Sequence, residues 1–284
     1  MFKKVLVALD FSGPAMELFS SIPDLKKLGL EELLLVHTVR VELRVQDGIS
    51  PLQLKFLEKV KEKKAQLEKE GFHVEIEVPV GAPVEEIKRL AEQRDVDLVL
   101  IGSVGESSRV RELFLGSTVA DMIRISPVPV LVEKYIAIGD KARRLPIFTD
   151  KLATVLMPTD FSPSAEHVYE RILEFSDKME KVVLLTVIDK GDTVEALKEA
   201  EDEAERRLLE WKRKFTEKGI NTLHLVLKGP ASQQIAFAAE QEGATLIAMA
   251  RRGRGLLAGL MIGSTADQVI RKTNRPVLLF GKKD

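Results

Sequence analysis

Val155-Leu156-Met157-Pro158-Thr159-Asp160-Phe161-Ser162 decides how this chain folds, because it has an earlier version, Val5-Leu6-Val7-Ala8-Leu9-Asp10-Phe11-Ser12. The two stretches lie 150 residues apart. Other landmarks repeat at nearly the same distance: Gly71 with Gly219 and Gly81 with Gly229 at 148, and Gly116-Ser117-Thr118 with Gly263-Ser264-Thr265 at 147. Pro129-Val130-Leu131 returns as Pro276-Val277-Leu278, also at 147. An offset that drifts by only three residues means one order of elements written twice, with small insertions. Chance likeness between apolar runs would not keep Asp, Gly and Pro in register.

Each copy opens on a short apolar, β-branched run of strand length, and longer amphipathic stretches follow. In the first copy the strand runs are Val5–Leu9, Leu33–Val36, Val74–Val80, Leu98–Ile101 and Val128–Val132. Helical spacing appears at Leu57, Val60, Lys64 and Leu67, and at Leu197, Ala204, Leu208, Trp211 and Phe215 in the second copy. Strands alternating with helices of this length predict an α/β fold: two tandem, five-stranded, doubly wound parallel sheets. The expected boundaries are 1–135 and 152–284, with 136–151 as a linker carrying the turn residues Gly139, Asp140 and Pro146.

Composition narrows the chemistry. The 284 residues contain 43 Lys plus Arg against 44 Asp plus Glu, so a surface devoted to nucleic acid or anionic lipid is not expected. With 45% hydrophobic residues there is material for buried cores. No cysteine is present, which removes disulfides, thiolate catalysis and cysteine-ligated metals. The apolar runs are far shorter than the ~20 residues of a membrane helix. Met1-Phe2-Lys3-Lys4-Val5 passes straight into a strand, so a cytoplasmic protein is expected. The four histidines, His37, His73, His167 and His224, have no metal-ligand spacing. No Gly-x-Ser-x-Gly, no P-loop and no Gly-x-Gly-x-x-Gly after the first strand is found, which disfavours hydrolase, ordinary ATPase and dehydrogenase readings.

Open parallel sheets bind ligands beyond the carboxyl ends of their strands. Three features of each copy fall there: the aspartate ending strand one (Asp10, Asp160), the turn after strand four (Gly102 to Gly105, Ala250 to Gly253), and Gly-Ser-Thr at a helix start. Ser117 and Ser264 are expected as N-caps. A glycine and hydroxyls at a helix start offer backbone N–H groups to a phosphate.

Strand-one aspartate, Gly-x2-Gly-x9-Gly-Ser/Thr and a closing Pro-Val-Leu resemble the pattern of universal stress proteins, in the subgroup that binds ATP. The resemblance covers nearly the whole chain, once per half. It implies strand order 3-2-1-4-5, a nucleotide lying across the strand ends, and domains paired through their fifth strands, here as a pseudo-dimer within one chain and a possible homodimer of chains. It places Asp160, Val187 and Met249 at the adenosine end and Gly253, Gly263, Ser264 and Thr265 around the phosphates, with Thr159, Ala250 and Arg252 as further residues of the expected second-copy nucleotide site. The first-copy counterparts are Leu9, Asp10, Val39, Ile101, Gly102, Gly105, Gly116, Ser117 and Thr118. Each copy departs from the pattern once. Ala250 replaces the first glycine, and ten residues rather than nine separate Gly105 from Gly116. The second copy keeps the loop length and adds Arg251, Arg252 and Arg254, so it is the favoured site. The expected function is a stress-response regulator that binds ATP or AMP, with or without magnesium, and answers to a protein partner rather than turning over substrate. A slow nucleotide hydrolase and an interaction module with decayed sites remain the alternatives.

Overall fold

The computed structural model describes residues 2–9, 13–39, 51–104, 116–138, 141–144, 150–189, 193–254 and 262–281. These fall into two compact units, the first ending at Arg144 and the second running from Asp150.

In the first unit, β1 (Lys4–Ala8), α1 (Gly13–Ser21), β2 (Glu32–Val36), α2 (Pro51–Lys69), β3 (His73–Glu77), α3 (Pro83–Gln93), β4 (Leu98–Val104), α4 (Ser117–Ile125) and β5 (Val130–Ile138) alternate as the sequence predicts, and a short β6 (Lys141–Arg144) follows. The main sheet order is β3-β2-β1-β4-β5, all parallel. Val5, Leu6 and Val7 are fully buried, as are Leu98, Val99 and Leu100. Continuous apolar strands of this kind are what a sheet covered on both faces requires.

The second unit repeats the plan with β7 (Thr154–Pro158), α5 (Pro163–Leu173), β8 (Lys181–Ile188), α6 (Val194–Glu217), β9 (Asn221–Lys228), α7 (Ala231–Gln241), β10 (Leu246–Ala250), α8 (Ser264–Lys272) and β11 (Val277–Phe280). Its order is β9-β8-β7-β10-β11, again parallel, which is 3-2-1-4-5 within the repeat. Ala204, Leu208 and Phe215 of α6 are buried, and Trp211 stacks on Tyr169 of α5 with ring centroids 4.3 Å apart. Gly71 and Gly219, paired in the repeat, follow α2 and α6 with φ of +92° and +81°. Only glycine adopts that left-handed conformation without cost, so these landmarks recur because the two helices stop the same way.

One expectation changes. The stretch 136–151 is not all linker. Residues 136–138 continue β5, and β6 folds back antiparallel on it, pairing Tyr135 with Arg144 and Ile138 with Lys141. The turn residues Gly139 and Asp140 lie outside the described residues.

Candidate functional site

In the second unit β7 connects through α5 to β8 on one side, and the chain crosses from β9 through α7 to β10 on the other, so the strand order reverses at the end of β7, where a crevice opens. The chain there is tightly held. The Thr159 N–H donates to the Leu185 carbonyl at 2.8 Å, and the Thr186 hydroxyl donates to the Thr159 carbonyl at 3.1 Å. Phe161 follows with φ of +56°, a left-handed conformation that costs a non-glycine residue about 1–2 kcal/mol. Its surroundings offset that strain. The ring is buried, meets Trp211 edge-on at 5.5 Å, and lies under the Arg207 guanidinium at 4.3 Å. The Phe161 N–H donates to the Thr159 hydroxyl, and Ser162 caps α5 by accepting from the Ala165 N–H.

This turn aims Asp160. One carboxylate oxygen accepts the Ser162 N–H at 3.0 Å, and the other accepts the Arg254 N–H at 2.6 Å. The carboxylate thereby joins the end of β7 to the segment after β10.

A cavity of about 260 Å³ opens at this point, a little below the ~300–1,000 Å³ usual for small-molecule sites. Thr159, Asp160, Val187, Met249, Ala250, Arg252, Gly253, Gly263, Ser264 and Thr265 all line it. These ten come from the ends of β7, β8 and β10 and the start of α8, and the fold brings every one of them together. Pro158, Ala165, Leu185, Ala231, Ile235 and Ala266 join them, as do Arg251 and Arg254. Leu185 could have been read from strand alternation, two residues before Val187. Ala231 and Ile235 share one face of α7 at i, i+4, a spacing that any core-facing helix also shows.

Pro158, Leu185, Val187, Ile235 and Met249 supply apolar lining to the cavity. Leu185 turns its carbonyl toward β7, and Ile188 turns its own toward the Gly229 N–H beyond β9. By alternation, the Val187 N–H and carbonyl face the β7 side, past the last β7–β8 ladder pair at Pro158–Leu185. They present one donor and one acceptor to the crevice.

The start of α8 contributes polar lining to the same cavity. Gly263, not Ser264, is the N-cap of α8, and Gly116 is the N-cap of α4; neither helix start has a side-chain cap. The expectation of serine caps is therefore corrected: Ser264 and Ser117 are first helical residues. The Gly263 N–H donates to the Arg251 carbonyl at 2.9 Å, so the amides that remain at the positive end of the helix dipole are those of Ser264, Thr265 and Ala266. The three arginines divide. Arg252 is exposed at the rim. Arg254 reaches back to the Phe161 carbonyl at 3.4 Å. Arg251 is only 6% exposed and turns its guanidinium against Gly281. Burial, with Arg252 adding, pulls the Arg251 pKa down to about 10, which leaves it a cation at neutral pH. Ala250 does not adopt positive φ, so the alanine is compatible with this backbone.

In the first unit, Leu9 is buried after β1 with its N–H on the Val36 carbonyl, and Ile101 pairs with Ala8. Gly102 follows on β4, where a Cβ would lie 3.1 Å from the Tyr135 ring. Gly116, Ser117 and Thr118 start α4. Asp10 and Gly105 lie outside the described residues. Val39 needs correction. Its carbonyl accepts the Gly81 N–H just as the Ile188 carbonyl accepts that of Gly229, so Val39 matches Ile188, and Thr38 is the counterpart of Val187. The repeat offset at this point is 149, not 148. His37 takes the place of Thr186: its Nδ1 lies 3.0 Å from the Leu9 carbonyl and therefore carries the proton.

Two doubly wound, parallel α/β units in tandem define the class to which this chain belongs. The chain belongs to the universal stress protein family, whose profile matches residues 1–134 and again residues 152–281. A universal stress protein of Methanocaldococcus jannaschii is 33% identical over 156 residues, spanning 47% of this chain and 96% of the relative. One from Synechocystis is 37% identical over 128 residues, covering 45% of this chain and 41% of that protein. Among solved structures, a universal stress protein from Archaeoglobus fulgidus matches with a TM-score of 0.76 at 25% identity, covering 99% of this chain and 98% of that one. Among the described residues no helix is long and apolar enough to cross a membrane.

Proposed function

We propose that the second half of this chain binds an adenine nucleotide and that the protein is a stress-response regulator rather than an efficient enzyme. One observation carries the reading: ten residues named from the sequence, spread over more than a hundred positions, line a single cavity that combines apolar side chains with the start of a helix. Adenine would lie among Pro158, Leu185, Val187, Ile235 and Met249. The Val187 N–H and carbonyl suit the acceptor and donor on one edge of that base. Ribose would sit by Asp160, and the phosphates, with magnesium where present, at Ser264 and Thr265 under Arg252.

The binding role rests on how Asp160 is used. Both its oxygens already accept backbone N–H groups, which commits the carboxylate to holding the turn. Occupancy would bias the segment between Ala250 and Gly263, and a cytoplasmic protein partner would read that state. The two halves would pair as an internal pseudo-dimer, and two chains could associate by the same logic.

The test is mass spectrometry of acid extracts of the purified protein, with calorimetric titration of AMP, ADP and ATP, with and without magnesium. Carried adenine nucleotide, or saturable heat, is the expected result. The absence of both would refute the reading, and ATP turnover well above a heat-killed control would move the protein to the enzymes.

A further inference from the structure

The turn that aims Asp160 is held from a helix that supplies none of the residues lining the cavity. That helix is α6, and it reaches the turn through one side chain. The Arg207 guanidinium lies 4.3 Å from the centre of the Phe161 ring, and it donates to the Glu166 carboxylate on α5 at 2.9 Å. Only 23% of the Arg207 side chain is exposed, so the cation meets the ring largely out of water, where such a contact is worth most.

Phe161 needs that support. With φ of +56° it occupies a region that non-glycine residues hold only when their surroundings fix them there. Its backbone is gripped on both sides: the N–H donates to the Thr159 hydroxyl at 2.9 Å, and the carbonyl accepts from the Arg254 guanidinium at 3.4 Å. On the ring, Trp211 supplies an edge contact that any aromatic residue at 211 would supply, and Arg207 covers a face. Were Phe161 to relax to negative φ, the peptide after it would turn and carry the Ser162 N–H off the Asp160 carboxylate. The second bond of that carboxylate, to the Arg254 N–H, fastens the segment after β10 and depends on the same turn.

The repeated fold does not demand this arrangement. The offset of 148 that matches buried Leu208 with Val60 and buried Phe215 with Leu67 puts Arg207 and Trp211 opposite Lys59 and Lys63 of α2. A helix at this place packs on its sheet with lysine at both positions, so the guanidinium and the indole answer to something other than packing.

We infer that Arg207 is a positioning residue for the second-half site: from outside the cavity it clamps the Phe161 ring, keeps that residue left-handed, and so holds the Asp160 carboxylate on the Arg254 N–H. The effect on ligand affinity rests on the nucleotide reading of the cavity; the effect on the turn does not.

The experiment compares the full chain with Arg207→Ala, Phe161→Leu and the double variant, by calorimetric titration with ATP and by amide exchange at Arg254. Leucine at 161 keeps apolar bulk and removes the aromatic face. Arg207→Ala is expected to weaken ATP binding about fivefold, the scale of one partly desolvated cation on a ring, and to lower protection of the Arg254 amide by a similar factor. In the Phe161→Leu background, removing Arg207 should add little to either loss. Equal losses in both backgrounds would overturn the clamp, because Arg207 would then act elsewhere than through the ring. Native protection at the Arg254 amide in Arg207→Ala would overturn it too. If the native chain bound no adenine nucleotide, the nucleotide reading would be the one that failed, and exchange at Arg254 would still decide whether Arg207 holds the turn.

Discussion

Asp160 and Gly253 approach so closely that a Cβ on residue 253 would meet the Asp160 carboxylate well inside van der Waals contact. Residue 253 does not adopt positive φ, so the glycine is required by proximity and not by backbone conformation. Gly253→Ala should therefore fold, push the carboxylate off the Arg254 N–H, and weaken nucleotide binding by roughly tenfold, the worth of one charge-assisted hydrogen bond. Calorimetry on the variant checks this, with near-native circular dichroism as the control.

Gly263 separates fold from binding in the complementary way. A Cβ there would make only ordinary contact, 3.5 Å from the Arg251 carbonyl, and φ of −75° suits any residue. Gly263→Val is expected to keep the thermal midpoint within a few degrees while abolishing measurable nucleotide binding, because its branched side chain would crowd the amides of the first helical turn. Unchanged affinity would remove the phosphates from this helix start.

Trp211 is the sole tryptophan of the chain, and its ring lies 5.5 Å from that of Phe161, next to Asp160. Saturating the second-half site should change intrinsic fluorescence, with a midpoint equal to the calorimetric one. Trp211→Phe should silence the signal and leave affinity nearly unchanged, since Trp211 does not line the cavity.

Tyr169 gives a pH signature. Burial, with Glu217 adding, pushes its hydroxyl from 10.0 up to about 12. The folded state then holds the phenolic proton more tightly than the unfolded chain does, so this contribution is complete below the unfolded value of 10.0 and is lost as pH rises toward about 12. Tyr169→Phe should flatten the fall in stability over that window relative to the native protein, measured by denaturant melts across the alkaline range.

The repeat was the most legible part of this molecule. Asp, Gly and Pro landmarks survive divergence because each answers a local demand: Gly71 and Gly219 end helices left-handed, and Asp160 ties a strand end to a loop. The ten second-half residues that line the cavity were readable for the same reason. Ala231 and Ile235 were not, because apolar residues on a helix face carry no mark distinguishing a ligand wall from a core. The mismatch at Val39 came from counting along a drifting offset, which only hydrogen-bond register resolves.

The β5–β6 hairpin changes how the halves can be separated. β6 lies beside α1, and it hydrogen-bonds to β5 from Tyr135 onward. An amino-terminal fragment cut at residue 135 would sever that ladder and strip α1 of its neighbour, whereas one carried through Arg144 keeps both. Any dissection of this duplicated gene product into single modules should place its first boundary beyond the hairpin.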